Sequence, residues 1–205
     1  MDPLAIYEDL KEKIIWLDLE PGSTLNLVEL ADQYKVSRNP ITIALTRLDA
    51  EEWVVRSGSH FVASPLTVDR IREITEIRSV LEVQANIWAL HRISPEALDG
   101  LGVLREEIQK LNDDATNREI VKLDVKFHCM IYHETKNNQL SNMLKRMLTH
   151  YLRFWLASPN PIRREKFFQE AIEIIDAFEA EDETRLIAAS TAHIKASLDE
   201  IMGLS

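Results

Sequence analysis

The chain has 205 residues, 45% of them hydrophobic and 28% charged, with a formal net charge of −10. That is enough apolar side chain to bury a core in one domain or two small ones, and it excludes a disordered chain. One cysteine, Cys129, excludes an internal disulfide and reads as a small buried hydrophobe within a helix. The start "MDPLAIYEDL" has no basic and then apolar leader pattern, and the longest apolar runs span only a few residues. Neither a signal peptide nor a membrane span is expected, and a cytoplasmic location follows as an expectation.

Five glycines are few for this length, and periodic apolar residues fill most of the chain, so the expected fold class is mainly α. "LAIYEDLKEKIIW" places Leu4, Ile6, Leu10, Ile14 and Ile15 near one helical face, and "LEPGSTL" after it is a Pro-Gly turn. A short helix over about Leu27 to Tyr34 follows. Ser37 is placed to cap a third helix, where Pro40 sits in the first turn and removes no intrahelical bond. In that helix Ile41, Leu45 and Leu48 turn inward, while Arg38, Asn39, Thr42, Ile43, Thr46 and Arg47 face out. "WVVRSGSHFVASP" then carries two β-branched and aromatic runs around Ser57, Gly58 and Ser59, the pattern of a small β-hairpin or wing. The strand-like stretch ends at Pro65, and Thr67 can cap a long helix from about Val68 to His91. The expected division is an N-terminal domain over 1–66 and a C-terminal domain over 67–205.

From Gln33 to Leu48 the chain holds sixteen residues without an acid, and their only charges are Lys35, Arg38 and Arg47. A helix lying in the major groove of DNA must keep carboxylates off the phosphates while offering hydrogen-bonding side chains. The window meets that demand and makes Ser37, Arg38, Asn39, Thr42, Thr46 and Arg47 the candidate DNA-binding residues. The same residues also fit an ordinary three-helix packing unit. Residues 1–65 carry eleven acids and six bases, and a net charge of −5 suits nonspecific DNA binding poorly.

The second part opens with "DRIREITEIRSVLEVQANIWALHRI", in which Ile71, Ile74, Ile77, Leu81 and Ile87 form a helical stripe. Arg78 and Glu82, four apart, form an i, i+4 pair that from spacing alone could be no more than a solvated ion pair. Further helices are expected over about Pro95 to Asn112, Asn117 to Thr135, Gln139 to Leu156, Arg163 to Glu181 and Asp182 to Met202. An antiparallel all-helical bundle is the simplest packing for the six. In "LDVKFHCMIYH" Asp124 and His128 lie four residues apart, so both project from one helical face and can hold one metal ion, with His193 as a third donor from another helix. The competing reading is a pair of satisfied core histidines. His91, His133 and His150 are assigned to helix surfaces or core edges, Trp88 and Trp155 to core or interface, and the basic "NPIRREKF" to a solvated helix start. A metal-dependent hydrolase or lyase is the alternative of another class. No Ser, Cys or Lys nucleophile stands beside a base in a recognisable spacing, and the carboxylates other than Asp124 read as surface residues, so the protein is not expected to be an enzyme.

The order "EPGSTLN", "ELADQYKVSRNP", "ALTRLDAEEWV" resembles the winged helix-turn-helix of GntR-type transcription regulators over about Ile14 to Ala63. The chain departs from the family run at the turn glycine (Lys35), at a threonine (Asn39), at an Arg-Glu pair (Thr42 and Ile43), at a second glycine (Glu52) and in the wing. From Val68 to Leu198 it resembles the FCD effector domain of the FadR branch, in the six-helix subgroup similar to vanillate-type regulators. That likeness rests on "IREITEIRSVLE", "DVKFH", "NNQL" and the closing "AFEAEDETRLIAASTAH". The resemblance implies an effector-responsive regulator, expected to be a repressor, acting as a homodimer on a double-stranded DNA operator. It implies a small carboxylate effector, with Arg78 and Asn138 as effector-binding residues. It also implies a divalent metal (Zn, Ni or Mn) on Asp124, His128 and His193, and Ala171 stands where the family has a further histidine. A regulator-derived protein with a decayed DNA-reading surface is the remaining alternative.

Overall fold

The computed structural model describes residues 2–58, 60–112, 114–158 and 162–203. Ser59 of the wing turn, and Asn160 and Pro161 of the basic cluster, lie outside the described residues. The chain forms two compact units that meet between Thr67 and Val68.

In the first unit, α1 (Pro3–Ile15) starts on a proline that costs it no hydrogen bond, and it buries Ile6, Tyr7, Leu10 and Ile14. Leu4 is 49% exposed, and Tyr7 takes the inward place because 7, 10 and 14 follow the helical turn. Strand β1 (Thr24–Leu25) leads to α2 (Leu27–Tyr34), whose N-cap Asn26 accepts a hydrogen bond from the Val28 amide at 2.9 Å. Helix α3 (Arg38–Ala50) has Ser37 at its N-cap position, without a side-chain capping bond, and buries Ile41, Ala44, Leu45 and Leu48. Strands β2 (Val54–Ser57) and β3 (His60–Ala63) form the expected hairpin. The sequence reading missed β1, which pairs Thr24 with Val62 and completes an antiparallel sheet of order β1-β3-β2. Trp53, Leu25 and Phe61 close this unit's core over the three helices.

The second unit is a bundle of six helices: α4 (Val68–Leu90), α5 (Pro95–Lys110), α6 (Asn117–Glu134), α7 (Asn138–Ala157), α8 (Arg164–Glu179) and α9 (Glu183–Ile201). Four starts are fixed by side-chain caps on the following amides: Ser94, Thr116 in a reciprocal pair with Glu119, Asn137 and Asp182. Helix α4 packs against α6, α7 and α9, while α5 joins α6 to α8. Asn86 on α4 donates to Ser190 Oγ on α9 at 2.7 Å, and Arg105 on α5 reaches Asp176 and Glu179 on α8 at 2.8 and 2.7 Å.

Helix α4 lies differently from the stripe read in its sequence. Its buried face is Ile71, Thr75, Arg78, Glu82, Ala85, Asn86 and Ala89, whereas Ile74, Leu81 and Ile87 are half-buried and Ile77 is 46% exposed. Arg78 and Glu82 are therefore no solvated pair. Both are 2% exposed, with Arg78 Nε donating to Glu82 Oε1 at 2.6 Å and the Tyr132 hydroxyl donating to the same oxygen at 2.6 Å. Burial pushes the Glu82 carboxyl up, but the Arg78 charge outweighs that and holds it down at about 2. Glu134 is a second buried carboxylate, satisfied by Lys136, His133 and the Ser94 amide. Cys129 is half-buried, and His150 lies in the interior.

Lys35 closes α2 in the left-handed region, at φ 54°. A side chain costs about 1–2 kcal/mol there, and glycine escapes that cost while losing part of the gain to its freer unfolded chain. Lys35→Gly is expected to raise stability by about 0.5–1 kcal/mol, read as a higher urea midpoint with an unchanged slope. A midpoint that stays put or falls would show that this turn carries no strain.

Candidate DNA interface and effector cavity

The outward face of α3 carries Arg38, Asn39, Thr42, Thr46 and Arg47, all exposed, with Ser37 exposed just before it. The Thr42 hydroxyl donates to the Arg38 carbonyl at 3.0 Å. Arg47 is held on its own domain: its guanidinium lies 3.9 Å from the Tyr7 ring centre and its Nε is 3.5 Å from Glu51 Oε1. Lys11, Lys13 and Arg56 also pair with carboxylates, on Glu51, Asp9 and Asp49. Among the described residues, Lys35 and Arg38 make no ion pair. The acid-free window thus holds the basic side chains of this unit that its own acids have not taken.

In the second unit, Asp124 and His128 project from one face of α6 and meet His193 of α9. All three are buried, and their ligand atoms lie within 4.8 Å of one another. His128 Nε2 is 3.2 Å from His193 Nε2 and 3.6 Å from Asp124 Oδ1. Phe127 packs edge-on against both imidazoles. Burial pushes His128 down to about 3 and His193 down to about 4, so both rings are neutral and can present lone pairs. Burial pushes Asp124 up to about 7. Two neutral imidazoles and a carboxylate converging on one point form a donor set that fits a divalent cation.

These three residues line a small cavity together with Arg78, Tyr151 and Trp155. Arg78 Nη1 is buried and has no hydrogen-bond partner among the described residues, and the guanidinium lies 4.2 Å from the Tyr151 ring centre. The Tyr151 hydroxyl and Ser197 Oγ are 2.7 Å apart. Toward the more open side the wall is Lys166, Glu170 and Glu200, with Lys166 and Glu200 3.9 Å apart. Burial pushes the Glu170 carboxyl up. Ala171, directly after Glu170 on α8, is fully buried and offers only a methyl group.

The structure brings Arg78 to the cavity but not Asn138. Asn138 is exposed at the first position of α7, where the capping work is done by Asn137, which accepts from the Leu140 amide at 3.1 Å. His91 and His133 are exposed and pair with Glu183 and Glu134. Trp88 is half-buried, and Trp155 lines the cavity. Of the basic cluster, Arg164 donates to the Leu111 carbonyl. Sequence reasoning missed Tyr151, Ser197 and Glu200. Tyr151 and Trp155 are four apart on the buried side of α7, Ser197 is four residues after His193 on α9, and those spacings were the available signal.

Residues 4–60 match the family model described as bacterial regulatory proteins, gntR family, and residues 73–196 match the FCD domain. The Nta operon transcriptional regulator of Aminobacter aminovorans is 28% identical over 187 residues, covering 89% of this chain and 86% of that one. The uncharacterized HTH-type transcriptional regulator YdhC of Bacillus subtilis is 30% identical over 154 residues, covering 73% and 69%. Among solved structures, Escherichia coli McbR/YncC superposes with a TM-score of 0.83 at 22% identity, covering 98% of this chain and 97% of that one. No described helix is long and apolar enough to cross a membrane. With a winged helix-turn-helix followed by an all-helical domain, and both family models met in that order, the chain belongs to the GntR family of DNA-binding transcription regulators and carries an FCD effector domain.

Proposed function

We propose that the protein is a homodimeric repressor that is released from its operator by a small carboxylate bound in the FCD cavity. The observation that carries the effector class is the buried Arg78, which lines the cavity and keeps Nη1 without a hydrogen-bond partner while Glu82 holds Nε and Nη2. A buried donor left open costs about 1–3 kcal/mol, and a carboxylate oxygen is the group that best meets a guanidinium edge. Asp124, His128 and His193 would hold a divalent cation, Zn²⁺, Ni²⁺ or Mn²⁺, whose charge would add to that of Arg78 in attracting the acid. The DNA-reading element is α3, with Arg38 at its start and Asn39, Thr42 and Thr46 along its outer face.

Support for a homodimer comes from α4. It gives polar residues to the core and leaves Val80 70% and Ile77 46% exposed, with Leu81 and Ile74 half-buried beside them. Apolar surface concentrated on one helix face is the kind that a partner covers. One recognition helix reads only a few base pairs, so a second copy on a two-fold site supplies the rest of the specificity.

Three experiments test this reading. In gel-shift titrations on duplexes selected from a random library, Arg38→Ala should bind about 5–150-fold more weakly, or about 1–3 kcal/mol, and one member of a panel of two- to six-carbon carboxylates should release the parent. Equal affinities would sink the Arg38 contact, and an inert panel would sink the carboxylate. Calorimetric titration of Zn²⁺ into chelator-stripped protein should show binding that weakens about 10–100-fold in His193→Ala and tightens at least about tenfold in Ala171→His. If neither substitution changes the affinity, the three residues are core and not ligands. Val80→Asp should sediment as a monomer at concentrations where the parent is a dimer, and an unchanged mass would move the interface elsewhere.

A further inference from the structure

The outer face of α3 also indicates which bases it reads, an inference that rests on α3 being the DNA-reading helix. Ile43 is 50% exposed at the middle of that face. It has no structural task there, because the inward side of α3 is already filled by Ile41, Ala44, Leu45 and Leu48, all fully buried. Its neighbours Asn39, Thr42 and Thr46 are uncharged, and no acid occurs from Gln33 to Leu48. The Thr42 hydroxyl proton is already given to the Arg38 carbonyl. The middle of the face is therefore apolar at Ile43, flanked by Asn39, Thr46 and the Thr42 oxygen, which can still accept, and a cation, Arg38, stands at its leading end.

In the major groove each base edge is a pattern of donors and acceptors, and the one apolar group among them is the C5 methyl of thymine. An isoleucine opposite cytosine meets the N4 amino group and leaves that donor without a partner; opposite guanine it covers two acceptors. Opposite thymine it gains apolar contact with the methyl and has a much smaller polar penalty. We infer that Ile43 contacts the C5 methyl of a thymine in each half-site, so that the operator requires a methyl-bearing pyrimidine at that position. This face then selects by methyl contact at its centre, and guanine reading by a central arginine has no counterpart in it.

The test uses the full chain and the duplexes it selects from a random-sequence library. Each thymine of a selected half-site is replaced in turn by deoxyuridine, which removes the methyl and keeps the base pair. With the parent, one thymine per half-site should show a loss of about three- to tenfold in affinity, the scale of one buried methyl. With Ile43→Ala, that thymine and its deoxyuridine counterpart should bind alike. The substituted side chain is half exposed, so the variant should melt like the parent, which a thermal scan checks. If no thymine is sensitive, or if Ile43→Ala keeps the same sensitivity, the contact does not exist. Arg38→Ala, run beside it, separates the two levels: a loss there without any methyl effect overturns the Ile43 contact alone. No loss in either variant, or no DNA recovered by the selection, overturns the reading of α3 and this inference with it.

Discussion

The buried pair of Arg78 and Glu82 is the constraint around which the effector domain is arranged. Both groups sit on the inward face of α4 and are removed from water. Such a pair adds little net stability over an apolar replacement, yet losing one partner strands a charge and costs about 3–5 kcal/mol. Each group must therefore be met from the surrounding helices. Tyr132 of α6 meets Glu82, and Tyr151 of α7 lies under the guanidinium. The register of α4 against two neighbours is thus set by polar contacts that tolerate little displacement, and Arg78, with Nη1 left over, lines the cavity.

That same pair marks where the sequence stops being readable. The elements themselves followed from local rules: α2 lies at Leu27–Tyr34 as read, and the helix starts at Ser94, Thr116 and Asp182 carry capping residues visible in the chain. On α4 the apolar periodicity pointed to Ile74, Ile77 and Leu81 as the inner stripe. The structure instead buries Thr75, Arg78, Glu82 and Asn86, because their partners come from α6, α7 and α9 and have no trace in the local spacing. Strand β1 escaped notice for a related reason. Two residues have no periodicity, and their place is dictated by an open edge of β3. Asp124 and His128 were legible because one helix turn separates them, and His193 as a histidine on another helix able to supply a third donor. Tyr151 comes from α7, and Ser197 and Glu200 come from α9, and the two helices bring them together only in three dimensions.

The first unit resolves an apparent conflict between an acidic domain and a polyanionic partner. Net charge is a sum, while binding depends on where charges stand. Glu51 gathers Lys11, Arg47, the Tyr7 hydroxyl and the Trp53 indole into one cluster. Several acids are thus spent on internal bonds, and the cations so engaged are not lost to folding stability. What remains for an outside anion is concentrated at the turn between α2 and α3, on Lys35 and Arg38.

Helix α4 has a mechanical property that its contacts alone do not convey. From Val68 to Leu90 it contains neither glycine nor proline, so it has no built-in site at which to kink. Arg78 lies ten residues from its first residue, roughly 15 Å along the axis. A stiff rod of that length does not absorb a rotation applied at its middle. A turn of α4 at Arg78 would therefore be carried along the rod to Val68, the first residue of the second unit.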